Sequence, residues 1–184
     1  MKLLKTTGII FSSKNFFEKD QRLELLTHNL GRITLLAKNV YKKKSSLIGS
    51  LVPTNIIQCN IYNGKSFQLL TEWSLINSFP YLKQNFNLIS LSSYFINIIK
   101  NITDYKQPTP ELFNLLSYSL IRLNKKNICP NTIQYEFLKS ILNNEGILAP
   151  TSSISAKTLH NLLENYCSKK IPLPMHQITK EYVF

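Results

Sequence analysis

The sequence predicts an α+β protein in which a small β domain is followed by an all-helical domain. Two patterns lead to this fold class. Over the first 80 residues, apolar side chains alternate with polar ones, which is the period of a half-buried strand. From residue 86 onward they recur at every third or fourth position, the period of a helix packed along one side. We therefore expect a β domain over residues 1–80 and a helical domain over residues 81–184.

Five strands fit the alternation in the first domain, at residues 6–11, 22–27, 31–38, 55–62 and 67–73, with a loop at 12–20. Gly31 is free to take a positive φ in the turn before the third strand, and Asn63-Gly64 is a strong hairpin signal. Phe67 and Trp73 lie on the expected core face of the fifth strand. Five short strands joined by tight turns form a small barrel or sandwich, and five suit an N-terminal OB-fold β-barrel.

Four stretches with apolar residues at helical spacing account for the second domain, and the first of them covers residues 86–102. Thr109 is a candidate cap of the second helix, and Pro110 fits its first position. The third helix ends before Gly146, and Ser155 is the candidate cap of the fourth. The expected inward-facing residues of the last three helices are Leu112, Leu115, Leu116, Leu120, Leu123, Ile133, Phe137, Leu138, Ile141, Leu142, Leu159, Leu162, Leu163 and Tyr166.

The chain is strongly basic, with 22 Lys and Arg against 10 Asp and Glu and a formal net charge of +12. The first 80 residues hold eleven Lys and Arg against four acidic residues, and the remainder holds eleven against six. Such a surface attracts polyanions through the release of counterions. The charge therefore favours nucleic acid or an acidic protein tail as the partner over a small neutral ligand.

Other features of the composition bear on the location of the protein. No stretch reaches the roughly 18 apolar residues of a membrane span, and the first residues lack the apolar run of a signal peptide. The three widely spaced cysteines suit a reducing compartment better than a disulfide framework. We expect a cytoplasmic protein without membrane contact.

The best candidate for a binding site is the basic loop after the third strand, where Tyr41 precedes Lys42, Lys43 and Lys44. A strand that delivers aromatic and cationic side chains to a loop offers a surface to a phosphate backbone, and Tyr41 is a candidate platform for base stacking. The alternative is a solvated, charged turn without a ligand.

A second basic cluster, Arg122, Lys125 and Lys126, lies at the end of the second long helix of the helical domain. Beside an apolar groove such residues would suit an acidic peptide. A solvated helix end with a favourable dipole interaction is the alternative.

Nothing in the sequence assembles into a catalytic site. His28, His160 and His176 are scattered. His28 and His160 fit surface or cap positions, and the single cysteines fit small core residues. There is no glycine-rich phosphate loop and no pair of carboxylates spaced for acid–base work. We expect a protein that is not an enzyme and that holds no metal or cofactor.

The order of several motifs resembles the RecO family of recombinational-repair mediators. Residues 25–32, LLTHNLGR, follow its L-x-T-x-x-x-G pattern, and residues 37–45, AKNVYKKKS, align without gaps on A-K-G-A-R-R-x-K-S. Further matching positions are Pro53, Asn63-Gly64, Ser78-Phe79-Pro80, Tyr94 and Glu111-Leu112-Phe113. Asn39 and Tyr41 stand where the family favours Gly and Arg. The two C-x-x-C pairs of the zinc module found in many members are absent from this sequence.

That resemblance implies an OB-fold that binds single- and double-stranded DNA and promotes annealing of complementary strands. It implies contact with the acidic tail of single-strand-binding protein, and partnership with RecR in loading recombinase. Carried across by position, Lys38, Lys42 and Lys44 match basic positions of the family, and Arg32 follows the matched Gly31. The helix over 131–144 lacks the family's usual arginines, and Lys139 is its main cation. An RNA-binding OB-fold protein and a helical adaptor with a purely structural β domain are the alternative functions.

Overall fold

The structure, a computed structural model, describes residues 3–40, 49–64, 67–148 and 154–175. It confirms the α+β class, with a closed β-barrel followed by helices. Contacts within the chain define two compact units. The first is Met1–Phe79 with Thr103–Asn114, and the second is Pro80–Ile102 with Leu115–Phe184. The segment Thr103–Asn114 therefore packs with the β unit although it follows the first long helix, and a boundary between independent domains at residue 80 stays a prediction.

The barrel is an OB-fold built from five strands. They are β1 (Leu3–Phe16), β2 (Asp20–Thr27), β3 (Gly31–Ala37), β4 (Ile56–Asn63) and β5 (Gln68–Asn77). The strand order is β1-β2-β3-β5-β4, and β4 closes the barrel by pairing antiparallel with β1. Strands β3 and β5 pair in parallel. This seam is short, because only two residues of β3 pair with β5 and the first half of β3 lacks a partner in that strand.

β1 is longer than the sequence predicts, because Ser12–Phe16 continue the strand rather than form a loop. The register with β2 shifts between Ile10 and Ser12, so Phe11 occupies a β-bulge. A bulge breaks the regular alternation of a strand, and this break makes the continuation look like a loop in the sequence. Lys14 consequently lies in the barrel wall, paired with Arg22 of β2.

The core of the barrel contains Trp73, as predicted, with 8% of the residue exposed. Its indole N–H donates to the Ser50 hydroxyl at 2.9 Å, which satisfies the polar atom of a buried ring. The prediction for Phe67 is wrong, since 61% of this residue is exposed. The register of β4 and β5 shifts opposite Asn60 and Ile61, which leaves Thr71 as an extra residue. Because of this bulge, Leu70 and Trp73 both face the core. The residues before Thr71 therefore point to the side opposite to the one that simple alternation from Trp73 predicts.

Gly31 has the positive φ that the turn into β3 requires, at 69°. It also lies against the segment that follows the first long helix. A Cβ built at Gly31 would be 2.1 Å from the carbonyl oxygen of Gln107. Glycine is therefore needed here both for the turn and for the close approach of Gln107.

The helices are α1 (Pro80–Lys83), α2 (Phe86–Ile102), α3 (Pro110–Leu123), α4 (Pro130–Asn144) and α5 (Ala156–Cys167). The Ser155 hydroxyl caps α5 by accepting from the backbone N–H of Thr158 at 3.2 Å, as predicted. The expected Thr109 cap does not form, because its buried hydroxyl has no hydrogen-bond partner among the described residues.

Within the helical unit, the Phe95 and Phe137 rings stack with centroids 4.0 Å apart and join α2 to α4. His160 is buried rather than at the surface, and its Nδ1 is hydrogen-bonded to the Tyr94 hydroxyl at 2.7 Å. The partner lies 66 residues away, so no local pattern marks this histidine as a core residue. Tyr166 is 48% exposed, not inward-facing, and its hydroxyl donates to Glu145.

The cysteines differ in their surroundings. Cys59 is a buried core residue, as predicted, and burial raises the pKa of its thiol to about 12. That thiol stays protonated at neutral pH and is a poor nucleophile. Cys129 is exposed, so the core prediction is wrong for this residue, which immediately precedes the first residue of α4.

Candidate nucleic-acid interface

Two exposed cations lie opposite each other on the outer face of the barrel. In the register of β1 and β2, Lys14 pairs with Arg22, and Arg22 pairs in turn with Leu36 of β3. Neither cation forms an ion pair with another described residue. Like charges directly opposite in a sheet are destabilising, because their Cβ atoms lie only about 5 Å apart. An anion bound over this pair would relieve the repulsion.

Beside these cations the outer face forms a groove of about 380 Å³. Its walls include Arg22, Thr34, Leu36, Phe67, Tyr105 and Lys106. Phe67 and Tyr105 are 61% and 54% exposed. The groove therefore combines two exposed aromatic rings with two cations, which is the side-chain combination that single-stranded nucleic acid recognises.

Tyr105 and Lys106 reach the groove through the segment Thr103–Asn114. The Lys106 N–H donates to the Arg32 carbonyl at 2.9 Å, and residues Arg32 and Tyr105 form an isolated parallel bridge. These contacts hold the segment along β3 as an irregular extension of the barrel wall. Gln107, which closely approaches Gly31, holds the same segment against the start of β3.

Arg32, a predicted DNA-binding residue, lies beneath this segment rather than on an open surface. Only 12% of its side chain is exposed, and its Nε is 3.7 Å from Oε1 of Glu24. Its guanidinium carbon lies 4.2 Å from the centre of the Tyr105 ring, and the Tyr105 hydroxyl donates to Glu24 at 3.0 Å. The three side chains form one connected cluster that orients Tyr105.

Lys38, another predicted DNA-binding residue, is exposed directly after β3. Asn39, which stands where the family favours Gly, has a φ of 52°. Asparagine tolerates this left-handed conformation better than most residues, and its N–H donates to Asp20 at 2.9 Å. The remaining predicted DNA-binding residues, Tyr41, Lys42, Lys43 and Lys44, lie outside the described residues.

The predicted partner-binding residues belong to the helical unit. Arg122 forms an ion pair with Glu136 on α4, and this hydrogen bond raises the pKa of the guanidinium above its ordinary value. Lys125 and Lys126 are exposed after the end of α3, and Lys139 is half-buried on α4.

Two exposed residues of α3, Tyr118 and Ile121, are three positions apart and therefore lie on one side of the helix, and Arg122 stands one turn after Tyr118. The Arg122 guanidinium carbon lies 5.4 Å from the centre of the Tyr118 ring. This side of α3 therefore offers apolar and positive groups together.

Sequence reasoning did not identify three groove residues, Arg22, Tyr105 and Lys106, and it assigned a fourth, Phe67, to the core. It also missed Lys14, which lies beside the groove, opposite Arg22. Lys14 falls in a stretch that looks like a loop. The position of Arg22 opposite Lys14 depends on the pairing of β1 with β2, which the sequence around residue 22 does not reveal. The position of Phe67 beside the Asn63-Gly64 hairpin is the one local signal, because the loops of an OB-fold border its binding face. Nothing local marks the Tyr105-Lys106 pair.

The described part of the chain lacks two kinds of feature. It contains no group of three or more His, Cys, Asp or Glu side chains placed to hold a metal ion. None of its helices combines the length and the apolar character needed to cross a bilayer.

The sequence matches a known protein family and several curated relatives. Residues 1–79 match the family model described as "Recombination protein O N terminal". The chain is 25% identical over 176 residues to "DNA repair protein RecO" of Alkaliphilus metalliredigens, covering 95% of this chain and 72% of the relative. Proteins of the same name from Caldicellulosiruptor bescii and Caldicellulosiruptor saccharolyticus are 33% and 31% identical, over 68% and 72% of this chain.

The chain spans only about half the length of these last two relatives, at 51% and 54%. The matched N-terminal region coincides with the barrel, and the alignments extend from it into the helical unit. The chain belongs to the RecO family.

Proposed function

We propose that this chain is a non-enzymatic DNA-binding mediator of recombinational repair, which binds single- and double-stranded DNA on its barrel. The observation that carries the proposal is the pair of opposed cations, Lys14 and Arg22, beside a groove on the outer barrel face. Exposed cations without acidic partners bind phosphates and release the counterions of the polymer. The curated relatives carry the name "DNA repair protein", which supports DNA over RNA as the ligand.

Strand annealing is the reaction we assign to this binding. Two complementary strands repel each other through their phosphates, so a protein that neutralises both backbones lowers the barrier to pairing. The groove cations and the basic segment Lys42–Lys44 would act together in this neutralisation. Cooperation with RecR in loading recombinase is part of the same proposal and rests on family membership.

The helical unit is the proposed site for the acidic tail of single-strand-binding protein. Support comes from the side of α3 on which Tyr118 and Ile121 are exposed and Arg122 lies against the Tyr118 ring, with the exposed Lys125 following the helix. A peptide that combines carboxylates with apolar side chains matches this surface in charge and in polarity.

The test is a fluorescence-polarisation titration of labelled single-stranded DNA over a series of salt concentrations. We expect the binding constant to fall linearly with salt on a double logarithmic scale, with a slope set by the number of phosphates neutralised. The double variant Lys14→Ala/Arg22→Ala and the triple variant Lys42→Ala/Lys43→Ala/Lys44→Ala should both weaken binding and flatten this slope. Lys169→Ala, at an exposed lysine after α5, is the matched control.

Two results would count against the proposal. An unchanged slope in both multiple variants would exclude the barrel as the phosphate contact. A tighter complex with an RNA oligonucleotide of the same sequence would favour an RNA-binding protein instead.

A further inference from the structure

We propose that the groove on the barrel is selective for single strands, because Phe67 and Tyr105 stack on unpaired bases and Arg32 holds Tyr105 in position. This inference rests on the proposed DNA binding and adds to it the residues that distinguish a single strand from a duplex.

The two exposed rings come from different parts of the chain and meet at one groove. Phe67 precedes β5 at the β4–β5 turn, and Tyr105 belongs to the segment laid along β3, yet both line the same groove. Each is more than half exposed. A groove of about 380 Å³ lies within the roughly 300–1,000 Å³ range of small-molecule binding sites. Exposed rings that converge on one groove offer faces to a planar ligand, and a nucleobase is the planar group that nucleic acid supplies.

Cations accompany the rings along the groove. Arg22 and Lys106 both line it, and Lys106 is next to Tyr105 in the chain. A second hollow of about 490 Å³ shares Phe67 and Lys106 with the first and is bordered by the amides of Asn29 and Asn63. The two hollows are therefore consecutive parts of one track, in which cations can meet phosphates while rings and amides meet bases.

The same arrangement discriminates against duplex DNA. Bases in a duplex are stacked on one another and paired, so their faces are closed to a side chain unless a base is flipped out. Phosphates are presented by both forms of DNA. Removing a cation should weaken both complexes, whereas removing a ring should weaken only the complex with a single strand.

Arg32 is a positioning residue in this site. It lies under Tyr105 at cation–π distance, and both residues are tied to Glu24. Stacking on a base requires a ring held in one orientation, because ordering a free ring on binding costs conformational entropy. The cluster fixes that orientation before DNA arrives.

The experiment compares the affinities of the full chain for a labelled single strand and for the matched duplex. Tyr105→Ala and Phe67→Ala should each lower the affinity for the single strand about 5- to 100-fold, the range measured for the loss of one stacked base, and change the duplex affinity less than twofold. Tyr105→Phe keeps the ring and its contact with Arg32 but loses the hydrogen bond to Glu24, so it should lose much less affinity than Tyr105→Ala. Phe86→Ala, at an exposed phenylalanine of α2, is the matched control.

A spectroscopic readout makes the test independent of stability. A single strand containing 2-aminopurine should lose fluorescence when the base stacks in the groove of the wild type and of Tyr105→Phe, but not of Tyr105→Ala. Phe67 is exposed and outside the core, so Phe67→Ala tests the site even if Tyr105→Ala unfolds.

Equal losses for single strand and duplex, or no loss in either ring variant, would overturn the stacking proposal and leave the proposed DNA binding intact. A wild type without affinity for either DNA at low salt would overturn both.

Discussion

Arg32 and Tyr105 are joined twice, through their side chains and through a backbone bridge. The guanidinium carbon lies 4.2 Å from the ring centre, and the two residues form a parallel β-bridge although they are far apart in the chain. Cation–π contacts of partly buried arginines contribute more than exposed ones, since water competes less for the cation. The pair therefore fastens the segment Thr103–Asn114 to β3 and places an aromatic ring at the groove.

A double-mutant cycle tests whether Arg32 acts through Tyr105. We expect Arg32→Ala to lower the affinity for single-stranded DNA, because the Tyr105 ring is no longer held. In the Tyr105→Ala background the same change should have little further effect, since residues in one network are not additive. Affinities of the four proteins by fluorescence polarisation give the coupling, and circular dichroism checks that each is folded. Additive losses would mean that Arg32 contacts DNA by itself.

Gly31→Ala should destabilise the barrel through two separate effects. An alanine at a φ of 69° is strained by about 1–2 kcal/mol, and its Cβ would overlap the Gln107 carbonyl, which adds about 1–3 kcal/mol. Gly49→Ala is the matched control, because Gly49 has a φ of 83° but open space around its Cβ position. Urea denaturation of both variants separates strain from overlap. Equal losses in the free energy of unfolding would show that the contact with Gln107 is unimportant.

His160 should make the helical unit less stable in mild acid. Burial lowers its pKa from the ordinary value of 6.5, against the opposing influence of Glu164 and with a smaller contribution from Lys170. Because the unfolded state then binds a proton more readily than the folded state, stability falls as the pH drops through 6.5 and levels off below the folded pKa.

The measurement is urea denaturation at pH 7.5 and 5.5. The loss of stability between these values should be smaller in His160→Gln than in the wild type. His28→Gln removes an exposed imidazole and controls for the loss of one histidine. A pH dependence that survives unchanged in His160→Gln would assign it to other groups.

Glu136→Gln should strengthen the binding of an acidic peptide to the helical unit. The ion pair with Glu136 occupies Arg122, and removal of the carboxylate frees the guanidinium and lowers the local negative charge. Exposed ion pairs contribute at most about 1 kcal/mol, so the expected gain in affinity is about two- to fivefold. Titration with a labelled peptide of mixed acidic and apolar residues measures it, and Arg122→Ala should cause a loss. No response in either variant would remove Arg122 from the partner site.

Much of the local structure was predictable because its causes are local. The helix at Phe86–Ile102 follows from its apolar period, the cap of α5 from Ser155, and the positive φ of Gly31 from the turn it occupies. These features depend on side chains a few residues apart, whose spacing is visible in the sequence.

The structure differs from the prediction where residues that are distant in the sequence contact each other. Two bulges, at Phe11 and Thr71, set which side chains face the groove, and the register of the neighbouring strand decides where a bulge falls. His160 is buried because Tyr94 supplies a partner for its ring, which no pattern around residue 160 reveals.

The amino-acid sequence by itself determined the class of the fold, the five strands, the positive charge and the likeness to the RecO family. Only the tertiary structure decided which cations and rings share one surface. Charge and periodicity are properties of neighbouring residues, whereas a groove is made by register and by the packing of Tyr105 against Arg32, and these depend on the whole barrel.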